Sequence, residues 1–198
     1  MVVFGITGGS GSGKTSVSKM LEKLGVHIID TDVIAHEIVE PNSDCLNELV
    51  DYFGDSILND DKTLNRKKLA SIAFSDKQKT EALSNITHKY IKAEVVKDIN
   101  TTDAELVGID GAVIIGSNVE PLCEFIVSVI ADKQSRITRI KTRDNITDKQ
   151  AIQRINAQND DEFYKENSMY IIYNNGDIAQ LESDVVGLFN KIKGNSFE

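Results

Sequence analysis

The chain opens on Val2-Val3-Phe4-Gly5-Ile6-Thr7-Gly8-Gly9-Ser10-Gly11-Ser12-Gly13-Lys14-Thr15. The apolar run reads as a strand. Beyond Lys14-Thr15, Val17, Met20, Leu21 and Leu24 recur at helical spacing. A glycine-rich turn that leaves a strand and closes on Lys-Thr at a helix start is the pattern G-x-x-x-x-G-K-[ST] in the setting it needs. Glycines let backbone N–H groups curl around a phosphate, and the helix N-terminus adds partial positive charge. The expected ATP-binding residues are therefore Gly9, Gly11, Ser12, Gly13, Lys14, Thr15 and Ser16. Lys14 reaches the β- and γ-phosphates and the Thr15 hydroxyl ligates Mg²⁺. A plain glycine-rich hairpin turn is the competing reading, but it does not explain why the glycines lead straight into Lys-Thr and an amphipathic helix.

A second strand, Val26–Ile29, follows Gly25 and ends at Asp30-Thr31-Asp32. Strand, helix, strand in about 30 residues is a βαβ unit and predicts a parallel sheet. Ligands of such sheets bind beyond the carboxyl ends of the strands, where both Gly11–Thr15 and Asp30–Asp32 are expected. Asp32 is the candidate to accept a proton from an attacking hydroxyl. Either Asp30 or Asp32 can instead cap the next helix.

Residues 33–90 read as mainly helical, interrupted at Pro41-Asn42, with Ser75-x-x-Gln78 as a capping-box pattern. This is more helix than one crossover needs, and it is expected to form a helical insertion on the substrate side, with His88 on its last helix. Leu106–Asp110 is a third strand ending in an acid that can hold Mg²⁺ in the manner of a Walker B aspartate. Phe125–Ile130 is a fourth strand. Lys133, Arg136, Arg139, Lys141 and Arg143 then reverse the local charge, and Arg136, Arg139 and Arg143 share one helix face. A basic face is commonly just solvated, but after a strand of this kind of sheet it can form a lid that covers a transferring phosphoryl group. Thr147-x-x-Gln150 caps a second lid helix. Met169–Ile172 is a fifth strand, and Asn174-Asn175-Gly176 a turn at the edge where an adenine can lie. A helix with Leu181, Val185, Leu188, Phe189 and Ile192 closes the chain, and the last few residues are expected to fray.

The expected fold class is α/β: a P-loop NTPase with a parallel five-stranded sheet flanked by helices, a helical substrate-side insertion and a helical lid. The 198 residues, 40% hydrophobic, suffice for one such domain. The core is placed at about 1–32, 104–132 and 168–193, the helical subdomain at about 33–100 and the lid at about 133–165. A net charge of −9 argues against a nucleic-acid surface. No apolar run approaches a membrane span, and the opening strand is unlike a signal peptide. Cys45 and Cys123 are expected as free thiols. These features suit a cytoplasmic protein without a membrane partner.

Further residues carry a family resemblance. Ile29-Asp30-Thr31-Asp32 precedes Ile34-Ala35 and Val39-Glu40-Pro41. Leu64-Asn65-Arg66 comes with Leu69 and Phe74, and the lid shows Gln134, Arg136, Arg139, Arg143-Asp144, Arg154 and Gln158, followed by Asn174-x-Gly176. With the first loop, this set resembles the dephospho-CoA kinase family over nearly the whole chain. The resemblance implies transfer of the γ-phosphoryl of ATP to the 3′-hydroxyl of dephospho-CoA, the last step of coenzyme A synthesis. It implies catalytic roles for Asp32, Lys14 and Arg139. Arg143, Asn174 and Gly176 join the ATP-binding set. Thr7, Asp32, His88 and Asp110 are expected to contact the acceptor, and Thr15 and Asp110 the metal.

The chain departs from that family at His36 (usually arginine), at His88-Lys89 (usually His-Pro), at Gly111–Gly116 after the third strand, and at Ser168-Met169. These changes fall on the acceptor side. Two rival readings remain at this level: another small-molecule P-loop kinase acting on a nucleoside or nucleotide, and a non-catalytic nucleotide-binding switch.

Overall fold

In the computed structural model, which describes residues 1–195, the opening strand β1 (Val2–Thr7) lies at the centre of a parallel sheet. The other strands are β2 (His27–Asp30), β3 (Leu106–Asp110), β4 (Phe125–Ile130) and β5 (Tyr170–Tyr173), in the order β2-β3-β1-β4-β5. The helices are α1 (Lys14–Lys23), α2 (Thr31–Glu37), α3 (Asp44–Phe53), α4 (Arg66–Ala73), α5 (Lys77–Thr101), α6 (Lys133–Asp144), α7 (Asp148–Asn156), α8 (Asp161–Glu166) and α9 (Ile178–Asn195). The fraying expected of the last few residues concerns a stretch that runs past the described residues.

The chain divides into two units, Met1–Ile29 with Thr102–Glu198 and Asp30–Thr101. In the first, β1 and β3 run with Ile6 opposite Asp110, β1 and β4 with Thr7 opposite Ser128, and β4 and β5 with Ile130 opposite Tyr173. Parallel pairing brings the carboxyl ends of these four strands to one edge, and with them the loop after Thr7, Asp110 and Asn174. All of β3 is buried, which is why its sequence shows no alternation. Phe4, Ile6, Val17, Leu21, Val127 and Val185 belong to one core that joins β1, β4, α1 and α9. The helical hairpin α6–α7 has a small core of its own, made by Ile137, Ile140, Ala151 and Ile155.

In the second unit α2, α3 and α4 each pack on α5. Leu46, Leu49, Leu69, Ala73, Ile86 and Val95 are buried there. Burial pushes the Cys45 thiol up to about 11, with the Glu48 charge adding to it. The Cys123 thiol, in the first unit, is pushed up to about 12, again chiefly by burial. Both cysteines are free thiols.

Most helix starts carry a side-chain cap of the expected kind. Asp30, Ser43, Asn65, Asp132, Thr147 and Asp160 accept from the first-turn amides of α2, α3, α4, α6, α7 and α8, and Thr147 with Gln150 forms a full capping box. Asp177 does the same at α9, accepting from Gln180 N–H. At α5 the cap is Asp76, which accepts from Lys79 N–H at 2.9 Å, not Ser75 as the capping-box pattern predicts. The Ser75 hydroxyl instead donates back to the Ile72 carbonyl at 2.7 Å. Helix α1 differs from all of these. It starts after Gly13, in a left-handed conformation (φ 99°), with no side-chain cap and no acid in its first turn.

Candidate active site

The loop between β1 and α1 turns three of its carbonyls toward other parts of its own unit. Arg136 donates from Nε to the Ser10 carbonyl at 2.9 Å. Arg139 donates from Nη1 to the carbonyls of Gly11 (3.2 Å) and Ser12 (3.1 Å). Asn174 adds its Nδ2 to the Ser12 carbonyl at 2.8 Å. A trans peptide holds its C=O and N–H in opposite directions. Tying the carbonyls of Ser10 and Ser12 outward therefore turns the amides of Gly11 and Gly13 the other way. Those amides, with the amides of Lys14 and Thr15, have no acceptor among the described residues. Four neighbouring N–H groups at an uncapped helix start form an anion site. Glycine is required at position 13, where φ is positive and a Cβ would stand 1.9 Å from Asn174 Nδ2.

Lys14 bonds to Asp110 Oδ1, and Ser18, one turn further along α1, donates to Asp110 Oδ2 at 2.7 Å. The Asp110 side chain is 4% exposed and that of Lys14 15%. This is a nearly dry ion pair, satisfied from both sides. Ser18 had no place in the sequence reading, although its i+4 spacing from Lys14 puts both on one face of α1. Thr15 and Ser16 are exposed. Ser12 is buried and its hydroxyl has no hydrogen-bond partner among the described residues. Thr7 is buried too, with its hydroxyl 3.4 Å from the Ala112 carbonyl. The altered stretch Gly111–Gly116 places Ala112, Val113 and Ile115, with Thr7, Gln158 and Phe163, around a cavity of about 200 Å³.

The arginines of α6 divide their roles. Arg136 is buried, and Arg139 bridges the loop to Asn174, donating from Nη2 to its backbone carbonyl (3.0 Å) and side-chain oxygen (3.3 Å). Arg143 is exposed and makes a bidentate pair with Asp144 at 2.7 and 2.9 Å. Arg154 holds the same carboxylate, which is held down at about 2, mainly by the Arg143 hydrogen bond. Asn174 spends its side chain on Ser12 and Arg139, and Gly176 is exposed in the following turn. The sequence predicts Asn174 as a turn residue near the nucleotide; its part in holding the loop has no signal there.

In the second unit, Asp30 ends β2 and caps α2, accepting from the amides of Asp32 (2.8 Å) and Val33 (3.2 Å). That settles which of the two acids is the cap. The Asp32 side chain is exposed and has no hydrogen bond or ion pair among the described residues. His36 Nδ1 lies 3.0 Å from Arg66 Nη2. Arginine can only donate, so this ring nitrogen is the acceptor. His88 is half-buried on α5. Its neighbour Lys89 pairs with Glu48, which also accepts from Tyr90 OH at 2.7 Å. The Glu48 carboxyl is held below its usual range, first by Lys89 and then by Tyr90.

The dephospho-CoA kinase family model matches residues 2–180. The chain belongs to the dephospho-CoA kinase family. A dephospho-CoA kinase of Lactobacillus johnsonii is 35% identical over 191 residues, covering 95% of this chain and 96% of that one. The solved dephospho-CoA kinase of Campylobacter jejuni superposes with a TM-score of 0.69 at 26% identity, covering 98% of each chain. A shikimate kinase from Bacteroides thetaiotaomicron, 18% identical with a TM-score of 0.56, shares the fold over 97% of this chain. The family thus brings nucleotide binding to a loop whose free amides already form an anion site, and the parallel sheet flanked by helices expected from the sequence is the fold of these kinases.

Proposed function

We propose that Asp32 is the base of the phosphoryl transfer and that Lys14 and Arg139 carry the charge that develops. As a member of the dephospho-CoA kinase family, the chain transfers the γ-phosphoryl of ATP to the 3′-hydroxyl of dephospho-CoA, the last step of coenzyme A synthesis. The observation that carries the site assignment is the set of uncommitted amides at Gly11, Gly13, Lys14 and Thr15. They bind the phosphates, with Ser12, Ser16 and Gly9 completing the loop, while Arg143, Asn174 and Gly176 serve the nucleotide from the lid and the turn after β5.

The 3′-oxygen attacks the γ-phosphorus, and the bond to the β–γ bridging oxygen breaks. The hydroxyl proton passes to Asp32, whose carboxylate is free to accept it because Asp30 does the capping. ADP leaves with the bridging oxygen. Lys14 exchanges Asp110 for the phosphates, so one ion pair replaces another and the ammonium is never left bare in a dry site. Thr7, His88 and Asp110 face the acceptor in this reading.

The donors available suit Mg²⁺: a hydroxyl at Thr15 and a carboxylate at Asp110, both hard oxygen ligands. Among the described residues no cluster of three or more His, Cys, Asp or Glu could hold a metal. When bound at Thr15 and Asp110, Mg²⁺ neutralises charge on the phosphate oxygens. Among the described residues no helix is long and apolar enough to cross a membrane. Two free thiols suit a reducing compartment, and we assign the reaction to the cytoplasm.

The test is phosphoryl transfer from Mg-ATP read by mass spectrometry, with dephospho-CoA offered beside a panel of nucleosides and nucleotides. A gain of one phosphoryl on dephospho-CoA alone is expected. Transfer to another acceptor would keep the phosphate site and overturn the substrate.

A further inference from the structure

Ser10 sits between Gly9 and Gly11, so both peptide planes around it lie next to a residue with little torsional restraint. Gly11 has φ +78°. Each plane is nevertheless held by one side chain. The Ser10 N–H, in the Gly9–Ser10 peptide, donates to Gln158 Oε1 at 2.7 Å. The Ser10 carbonyl, in the Ser10–Gly11 peptide, accepts from Arg136 Nε at 2.9 Å. The first grip turns the Gly9 carbonyl the other way, where it accepts from Ser12 N–H at 3.0 Å. The second turns the Gly11 N–H toward the set of uncommitted amides. Arg136 is anchored in turn by Asp161, 3.4 Å from its Nη1, and its side chain is 6% exposed. Its Nη2 has no partner among the described residues, and a Cβ on Gly9 would stand 2.3 Å from it. A buried guanidinium with one nitrogen unsatisfied is costly. Its place is set by what Nε and Nη1 hold, and Gly9 is the residue that leaves it room.

We infer that Gln158 and Arg136 are positioning residues for ATP: together they fix the two peptides around Ser10, so that the Gly11 amide is aimed before the nucleotide arrives. Neither has to touch the nucleotide to do this. Gln158 follows α7 and Arg136 lies on α6, so the hairpin that carries the lid arginines also sets the shape of the loop. The inference rests on the reading that this loop binds nucleotide phosphates. It adds residues whose effect falls on ATP affinity and leaves the transfer step itself alone.

The experiment is equilibrium binding of Mg-ATP in the absence of acceptor, with steady-state kinetics and thermal melting, on Gln158→Met, Arg136→Met and Arg136→Lys. Gln158 is half-buried, and methionine keeps its length while removing the acceptor. Each methionine variant is expected to weaken ATP binding and raise the ATP KM by about 5–10-fold, the size of one lost hydrogen bond. The turnover number at saturating ATP and the KM for dephospho-CoA stay within about twofold. Arg136→Lys, which retains a donor for the Ser10 carbonyl, recovers part of the affinity. Gln158→Met decides the matter if Arg136→Met does not fold. Wild-type ATP binding in a folded Gln158→Met protein, or a loss of turnover with the ATP KM unchanged, would overturn the inference. Failure of the wild type to phosphorylate dephospho-CoA would overturn the acceptor assignment instead, and leaves the binding measurement readable.

Discussion

The two units treat their functional side chains in opposite ways. In the sheet unit the long polar side chains around the phosphate loop are already engaged. Lys14 holds Asp110, Arg139 holds Gly11, Ser12 and Asn174, and Arg136 holds Ser10. In the helical unit the Asp32 carboxylate is exposed and has no partner among the described residues. The contrast teaches which half is shaped in advance. A phosphate meets amides already aimed by side chains that hold the carbonyls away. On the proposed assignment of Asp32 as the base, the acceptor meets a carboxylate that has no partner among the described residues.

The sharpest way to break this comparison is Asp32→Asn. Turnover is expected to fall by about 10²–10⁴, the usual range for a lost general base, while equilibrium ATP binding stays at the wild-type value. Asparagine turning over at the wild-type rate would sink the assignment. Lys14→Met comes next, with turnover down by about 10²–10³ and the ATP KM raised, as for other lost charge stabilisation in a transfer step. This variant should also melt lower than Asp32→Asn, because it takes the Lys14 cation away from the buried Asp110. Equal melting temperatures for the two would mean that the Lys14–Asp110 pair contributes nothing to the fold.

A smaller effect is expected at His36, where the helical unit holds Arg66 through an imidazole nitrogen. His36→Ala releases the guanidinium and should raise the KM for dephospho-CoA by about three- to tenfold, one hydrogen bond's worth, without moving the ATP KM. A change confined to ATP would show that the two units do not divide their ligands as described. Smallest is Asp144→Asn at the end of α6. The folded Asp144 carboxyl is depressed to about 2 by Arg143 first and then by Arg154, so its contribution to stability is present above the ordinary carboxylate range and disappears as pH falls toward 2. The variant should melt about 1–2 °C lower at neutral pH, the scale of a solvent-touched ion pair. The two proteins should converge as the pH approaches 2. A gap that widened in acid would contradict the sign.

What could be read from the sequence follows what is local. The strand–loop–helix opening, the capping box at Thr147 and the strand β3 are all written in consecutive residues, and all appear at or near the expected positions. Choices between neighbours were not legible. Asp30 and Asp32 are both good caps two residues apart, and only the turn of the chain after Ile29 gives the role to Asp30. Ser75 and Asp76 pose the same problem at α5, and there the carboxylate takes the amide. Long-range grips were least visible. Gln158 and Ser10 are separated by 148 positions, and Asn174 and Ser12 by 162, so nothing in the spacing along the chain announces that they meet. The resemblance to the family picked out Gln158 and Asn174 as residues that matter, without saying that they act on the loop.

Helix α1 lacks what the starts of the other helices have, a side chain that closes the first turn. On the proposed binding of ATP at this loop, the phosphates supply that cap. Binding ATP would then also close the open first turn of this helix. The protein gains stability with the logarithm of nucleotide concentration, about 2.7 kcal/mol at a hundred times the dissociation constant. A cell whose ATP pool falls would not only slow this enzyme. It would also leave the chain with an open helix end, closer to the threshold at which proteases find it.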